Sequence, residues 1–247
     1  MSAVTIVLAL LIGASLGLVG GGGSILTVPA LVYAGGFAPR DAIVASLVVV
    51  GVAAAAGAFL HWRLGTLDAA VAAWFGGLGA VGAMGGARLG RLVPAAWLMI
   101  AFALIAVTAG LMLVSRRGFP RTRAARQGPG LVVVAALGVG FLTGLLGVGG
   151  GFIIVPALVL VVGLPMARAV GTSLAVIAVN CAAGLTTVAA DLDAGRMLVT
   201  AVFATLALVG TLVGARTASR ARPEVLRRAF GCLVLGVGLY TGIAAFV

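Results

Sequence analysis

Two stretches decide how this chain is read: GLVGGGGSILTVPALV at Gly17–Val32 and GLLGVGGGFIIVPALV at Gly144–Val159. They are one phrase written twice. Laid over each other, Gly17–Leu31 and Gly144–Leu158 are identical at nine of fifteen positions. Each copy sets a glycine cluster and then a proline inside a long apolar run, 3–35 and 130–163. An unbroken helix over such a run would be roughly 50 Å long, against a bilayer core of about 30 Å. Glycine costs about 1 kcal/mol per residue in a helix interior. Gly20–Gly23 in the first copy, and Gly147 with Gly149–Gly151 in the second, therefore predict a break. Pro29 and Pro156 are expected in the first turn of a new helix, where the missing N–H would have no partner anyway. The expected pattern is helix, glycine loop, short helix, once per half.

The composition sets the class around these stretches. Of 247 residues, 63% are hydrophobic and 9% charged, against roughly 45–50% and about 25% in soluble domains. Too few charged residues remain to make a water-facing surface, so the chain reads as an all-α polytopic integral membrane protein. Apolar segments fall at 3–35, 41–61, 68–90, 95–114, 130–163, 169–190, 196–215 and 225–246. The N-terminus lacks a basic leader region and is expected to be the first membrane segment. The net charge is +11, and all sixteen basic residues are arginine. They lie between the apolar runs, which identifies them as membrane anchors and argues against nucleic acid as a partner. Cys181 and Cys232 sit in apolar segments without a CxxC motif and are expected to be small buried hydrophobes.

SRRGFPRTRAARQGPG, 115–130, is the one long polar connection and holds five arginines. It divides the chain into a first membrane repeat at 1–114, a linker at 115–129 and a second repeat at 130–247. The repeat continues beyond the glycine phrase. Ser46 aligns with Ser173 and Gly57 with Gly184, while GGARLGRLVP (85–94) resembles VGARTASRAR (213–222) and pairs Arg88 with Arg216. The broken segments can cross once or fold back as hairpins. With the linker in the cytoplasm, single crossings put seven arginines inside and nine outside, whereas hairpins put twelve inside and four outside. The positive-inside rule favours hairpins. Four segments with one hairpin give each half odd parity, so the two homologous four-segment repeats would be inverted, a common basis for alternating access.

A break inside lipid leaves backbone N–H and C=O groups unpaired at several kcal/mol each, so the loops must face protein or a watery cavity. A glycine loop before a helix N-terminus presents N–H groups and a positive dipole end, which attract anions. Discontinuous helices at matching positions of two repeats point to a transporter's substrate site. The competing reading is close packing, since GxxxG spacing also occurs, as in GASLG at 13–17. Packing accounts for most of the 39 glycines; the two clusters, with a proline at matched spacing, point to a substrate loop.

The glycine cluster followed by VPAL, duplicated around a polar linker, resembles the TauE/SafE family of sulfite exporters, also called toluene-sulfonate uptake permeases. The resemblance covers nearly the whole chain. The second half, with GTSLAVIAVN at 171–180, is close to the family pattern. The first departs from it: Ser24 replaces a glycine, and Ala45-Ser46 stands where Thr172-Ser173 stands. The resemblance implies a carrier of sulfur-containing anions, such as sulfite, sulfoacetate and related sulfonates, running outward by alternating access. It implies a multi-pass protein of the cell (inner) membrane, embedded in the lipid bilayer, and is compatible with a homo-oligomer. On the residues themselves, Gly22, Gly23 and Ser24, with Gly149, Gly150 and Gly151, could give N–H donors to the three oxygens of a sulfite or sulfonate. Ser46, Thr172 and Ser173 could add hydroxyls, or bond their own backbone. Asn180 is either a site residue or interhelical glue.

Asp41, Asp68, Asp191, Asp193 and Glu224 all lie near segment ends, so none marks a proton relay within the membrane. His61, the only histidine, ends its segment and is expected to be partly solvated; its titration range would suit proton coupling. Arg88 and Arg216 either draw anions to a vestibule or snorkel to headgroups. GVGFLTG and GVGGG lack the strand–helix setting of a nucleotide loop, and the chain has no lysine for a Walker motif. No HxxxH or Cys/His cluster suggests a metal, nothing suggests a cofactor, and a serine nucleophile has only His61 as base, so an enzyme is not expected. A carboxylate carrier, a passive channel and a non-transporting membrane subunit are the remaining alternatives. The arginine distribution makes one direct prediction: tags at both termini should be labelled from outside the cell, and labelling of one end alone would reject the hairpin arrangement.

Overall fold

The computed structural model describes residues 3–114, 129–146, 151–188 and 194–217, with Cys232, 235–236 and 238–243 from the last segment. The described residues are helical or lie in short connections between helices. In chain order the helices are α1 (Ala3–Val19), α2 (Ser24–Pro29, continuing as a π turn over Ala30–Ala34), α3 (Pro39–Arg63), α4 (Ala69–Leu92) and α5 (Ala95–Val114). After the linker come α6 (Pro129–Leu146), α7 (Gly151–Leu160), α8 (Met166–Val188) and α9 (Met197–Thr217), the last preceded by a 3-10 turn at Ala194–Arg196. Four of these, α3, α4, α8 and α9, are long and apolar enough to cross a bilayer. Large apolar side chains such as Val81, Leu92, Leu104, Val134 and Leu198 point outward, 64–79% exposed. Such a surface suits lipid and would not suit water.

The first glycine break stands where the sequence puts it, the second (147–150) lies outside the described residues, and the prolines do not stand where expected. The second helix of each half starts at Ser24 or Gly151, so Pro29 and Pro156 are each the sixth helical residue rather than part of the first turn. Without an N–H, proline cannot complete the regular ladder, and the helix widens just beyond it. Gly35 N–H bonds the Ala30 carbonyl and Val162 N–H bonds the Ala157 carbonyl, both five residues back. Each short helix then ends on a left-handed glycine, Gly36 (φ +66°) or Gly163 (φ +80°). The next N–H, of Phe37 or Leu164, closes onto Leu31 or Leu158. Each of these residues aligns with its counterpart under the register that superimposes the two glycine phrases, so the local geometry repeats with the sequence.

The first broken segment folds back on itself. The Thr5 hydroxyl, in the first turn of α1, donates to the Ala34 carbonyl at the end of the π turn (3.2 Å). Gly23 packs beside Ser15 and Leu16 of α1. The 24–34 stretch therefore runs back along α1 for roughly 15 Å, which is a hairpin and not a second crossing.

The packing is set by small residues. Gly13 and Gly17 of α1 lie against the backbone at Ala207 and Thr211 of α9, and Gly140 and Gly144 of α6 lie in the same way on Gly79 and Ala83 of α4. Gly210 and Gly214, and Gly82 and Gly86, complete the two seams from the opposite side. The pairs advance together along both chains, so each seam is parallel. Between the seams α3 and α8 cross antiparallel: Gly51 meets Cys181, Gly57 meets Leu174, and Gly184 meets Leu47. α3 also packs on α9, and α8 on α4. Cys181 is buried as expected, but Cys232 is exposed, because the last segment faces outward at that position.

The seams allow a stringent test. A Cβ on Gly140 would overlap the Gly79 carbonyl, whereas one on Gly138, two residues away on the same helix, meets nothing within 4 Å. Gly140→Ala should destabilise by about 1–3 kcal/mol through forced backbone separation, and Gly138→Ala should be neutral or slightly stabilising. Thermal melts of the two variants in detergent check this; equal melting points would mean the seam does not exist.

Candidate functional site

The first glycine loop meets the start of α7 in the other half. Gly21 has φ +139° and Gly20 has φ +73°, backbone settings that glycine adopts without strain. A Cβ on Gly21 would come within 2.6 Å of the Gly151 carbonyl oxygen, and one on Gly151 within 2.7 Å of the Gly21 carbonyl oxygen. The obstacle is main chain on both sides, so neither position can hold a side chain without parting the loops. Gly20 in turn rests on Val170 of α8.

Hydroxyls fix this contact. Ser173 is fully buried and donates to the Gly20 carbonyl across the halves and to the Val170 carbonyl one turn back (2.7 Å). Ser24 donates to the Gly21 carbonyl (2.7 Å), Thr27 faces the Gly23 carbonyl (3.4 Å), and Ser46 donates to Ile43 (2.8 Å). Thr172 accepts the Asp68 N–H (3.0 Å), while the Asp68 carboxylate caps α4 by accepting from Val71 N–H (3.1 Å). The hydroxyls of Ser24 and Ser173 thus bond backbone carbonyls of the loop and shape it, while Ser46 bonds its own helix. The N–H groups of Gly21, Gly22 and Gly23 are left over: buried, with no acceptor among the described residues. Gly149 and Gly150 lie outside the described residues; Gly151 opens α7 at the loop contact.

Asn180 is 0% exposed, and neither end of its amide has a partner among the described residues. It faces Gly79 of α4, where a Cβ would lie 2.6 Å from Oδ1. One turn earlier on α8, Ile177 packs against Gly151. Asn180 is therefore buried beside the loop contact and makes no interhelical hydrogen bond among the described residues.

A cavity of about 380 Å³ opens near the start of α3 and the end of α4, within the size range of small-molecule sites. Arg40, Asp41 and Arg91 line it, with Leu47 and Val188 further along, and Gly144 and Leu145 from the α6 turn that leads into the second glycine loop. Arg40 also reaches the Arg91 and Val93 carbonyls (3.4 and 3.5 Å). The sequence puts Arg88 and Arg216 forward for a vestibule; both are exposed and neither lines this one. Arg91 follows Arg88 by almost one helical turn and borders the cavity, a register that repeat alignment alone does not resolve.

His61 also departs from expectation. It is 6% exposed, enclosed by Thr66 and Gly171, where the sequence predicts a solvated interfacial side chain. The cause is the helix end. Gly65 (φ +68°) turns the chain back so that Thr66 covers the imidazole.

The loop geometry separates two effects. Gly36 has the same sign of φ as Gly21 but open space around it. Gly36→Ala should cost about 1 kcal/mol, the left-handed penalty alone. Gly21→Ala must exceed it, and Ser173→Ala should cost about 1 kcal/mol for the lost clamp on Gly20. Melting temperatures of the three variants check the order; Gly21→Ala no worse than Gly36→Ala would mean the loops do not touch.

Comparison with known proteins agrees with this architecture. The family model described as "Sulfite exporter TauE/SafE" matches residues 5–241. Proteins from two strains of Xylella fastidiosa, Temecula1 and 9a5c, each named "Probable membrane transporter protein", are 34% identical over 238 residues, covering 93% of this chain and 90% of theirs. No solved structure gives a significant match. A match running almost end to end, over a bundle of apolar helices broken at the duplicated glycine phrase, places the chain in the TauE/SafE family of membrane transporters.

Proposed function

We propose that this protein carries a small sulfur oxyanion or organosulfonate out of the cell by alternating access, binding it at the two glycine loops. The observation that carries the reading is the set of buried N–H groups at Gly21, Gly22 and Gly23, held open where the loops touch. Three successive main-chain donors suit a three-oxygen anionic head, and glycine lets the head approach the backbone closely. Gly149, Gly150 and Gly151 would supply matching donors from the second half. Asn180 would give the cargo an amide that costs several kcal/mol if left unpaired. Arg40 and Arg91 would line an exit vestibule for the anion with positive potential on the side opposite the linker.

The inverted arrangement supports the mechanism. α3 and α8 occupy equivalent places in the two halves and run antiparallel, which is what a two-fold axis in the membrane plane produces. The parallel α1–α9 and α4–α6 seams exchange under the same operation. Rocking about the α3–α8 crossing would then expose the loops to one side and the other in turn.

The test is counterflow of radiolabelled sulfite in proteoliposomes, with sulfoacetate, sulfate and acetate as unlabelled competitors. Saturable exchange blocked by sulfoacetate but not by acetate is expected. Exchange blocked equally by acetate would move the cargo to the carboxylates, and flux without saturation or counterflow would make the protein a channel.

A further inference from the structure

We propose that His61 is a proton-binding site whose protonation and anion binding at the glycine loops favour each other, so that proton and anion cross together, outward when the anion's own gradient exceeds the opposing proton gradient; this rests on the carrier reading above. His61 is the chain's only histidine. Among the described residues it is the only buried side chain that titrates near neutral pH.

Its hydrogen bonds engage one ring nitrogen and leave the other without a partner among the described residues. α3 closes on Gly65, with Gly65 N–H bonding the Trp62 carbonyl and Thr66 N–H bonding the His61 carbonyl (both 3.0 Å). The Thr66 hydroxyl lies within reach of that same carbonyl (3.2 Å) and of His61 Nδ1 (2.8 Å). Nε2 is buried with no hydrogen-bond partner among the described residues. The neutral ring therefore has one nitrogen engaged by Thr66 and one that no described residue satisfies.

The imidazole is also tied to the loops. It lies against Gly171, where a Cβ would be 2.9 Å from His61 Cβ and 3.0 Å from Cγ. The next residue, Thr172, holds the start of α4, and the one after, Ser173, holds Gly20. Three successive residues of α8 thus connect the ring, the α4 cap and the first glycine loop.

Charged groups on the elements around the ring are Arg63 on α3, Asp68 before α4, Arg168 on α8 and Arg216 on α9. None bonds the imidazole. Arg63 lies over the Phe59 ring at 5.2 Å, and Asp68 is engaged as the α4 cap. Among the described residues that is three cations against one carboxylate, and an anion at the loops would supply a buried imidazolium with a counter-charge. By linkage, the anion then raises the proton affinity of His61 by the factor by which the proton tightens the anion.

Because there is one histidine, ¹⁵N-histidine labelling of the full chain in nanodiscs gives a single imidazole to follow. The expected spectrum is a neutral imidazole at alkaline pH, titrating between about pH 5 and 8, with the midpoint moving up when sulfoacetate is added. No titration in that window, or a midpoint that the anion leaves unmoved, overturns the proposal. In proteoliposomes, an acid exterior should speed sulfoacetate uptake by the wild type at least about fivefold. His61→Gln should keep counterflow at equal pH and lose that stimulation; a variant still stimulated overturns the proposal. Absence of wild-type counterflow with every anion would instead reject the carrier reading, and the imidazole titration would still decide the proton site.

Discussion

Backbone groups inside a bilayer must find partners, and everything distinctive here follows from two places where a helix gives them up. A chain that breaks at Gly20–Gly23 exposes polar main chain at a depth where lipid cannot answer it. The protein's answer is to bury the break against its own repeat. Gly21 lies on Gly151, Gly20 on Val170, and Ser173 reaches across the halves to the Gly20 carbonyl. Carbonyls are thereby satisfied and several N–H groups are not. The proposed anion site rests on that imbalance.

The close approach of the loops needs close approach of the helices that carry them. The α1–α9 and α4–α6 seams bring backbone against backbone through paired glycines, leaving little freedom for sliding within a seam. The α3–α8 crossing is different in kind. Side chains such as Leu47, Leu174 and Cys181 fill it, and those contacts can re-pack. Stiff seams around a softer crossing give a physical basis for two rigid units that rock. The halves are not equivalent in detail. Ala45 stands where Thr172 stands, so the first half cannot hold the start of α9 as Thr172 holds the start of α4. Arg196 does this instead, donating to the Gly36 carbonyl and lying over the Phe37 ring at 4.8 Å. Asn180 has no polar counterpart either; Ala53 stands at the aligned position of the first half.

Much of this was legible in the sequence because it rests on composition and on glycine's backbone. The apolar runs, the position of the break and the direction of the first hairpin follow from residue counts and arginine placement. The prolines misled: a rule about helix starts put them in a first turn, but the helix begins at the last glycine or just after it, and proline instead widens the helix further on. Side-chain partners were less legible. Ser173, Thr172 and Ser46 read equally well as ligand donors, and only the fold shows carbonyls within reach of Ser173 and Ser46 and the Asp68 N–H on Thr172. His61 looked solvated because it ends a segment; its burial depends on the left-handed turn at Gly65 and on Gly171, which only the fold brings in from the other half. Arg40 and Arg91 needed the helix register to be seen as a pair.

The most direct test of the central claim is amide hydrogen exchange over Gly20–Ile25 and Gly149–Ile153, with and without the anion that competes best in counterflow. If the loop N–H groups bind the cargo, both stretches should gain protection at saturating anion while the α1–α9 seam stays unchanged. Unchanged exchange in both loops, in protein that still catalyses counterflow, would place the anion elsewhere and contradict the account.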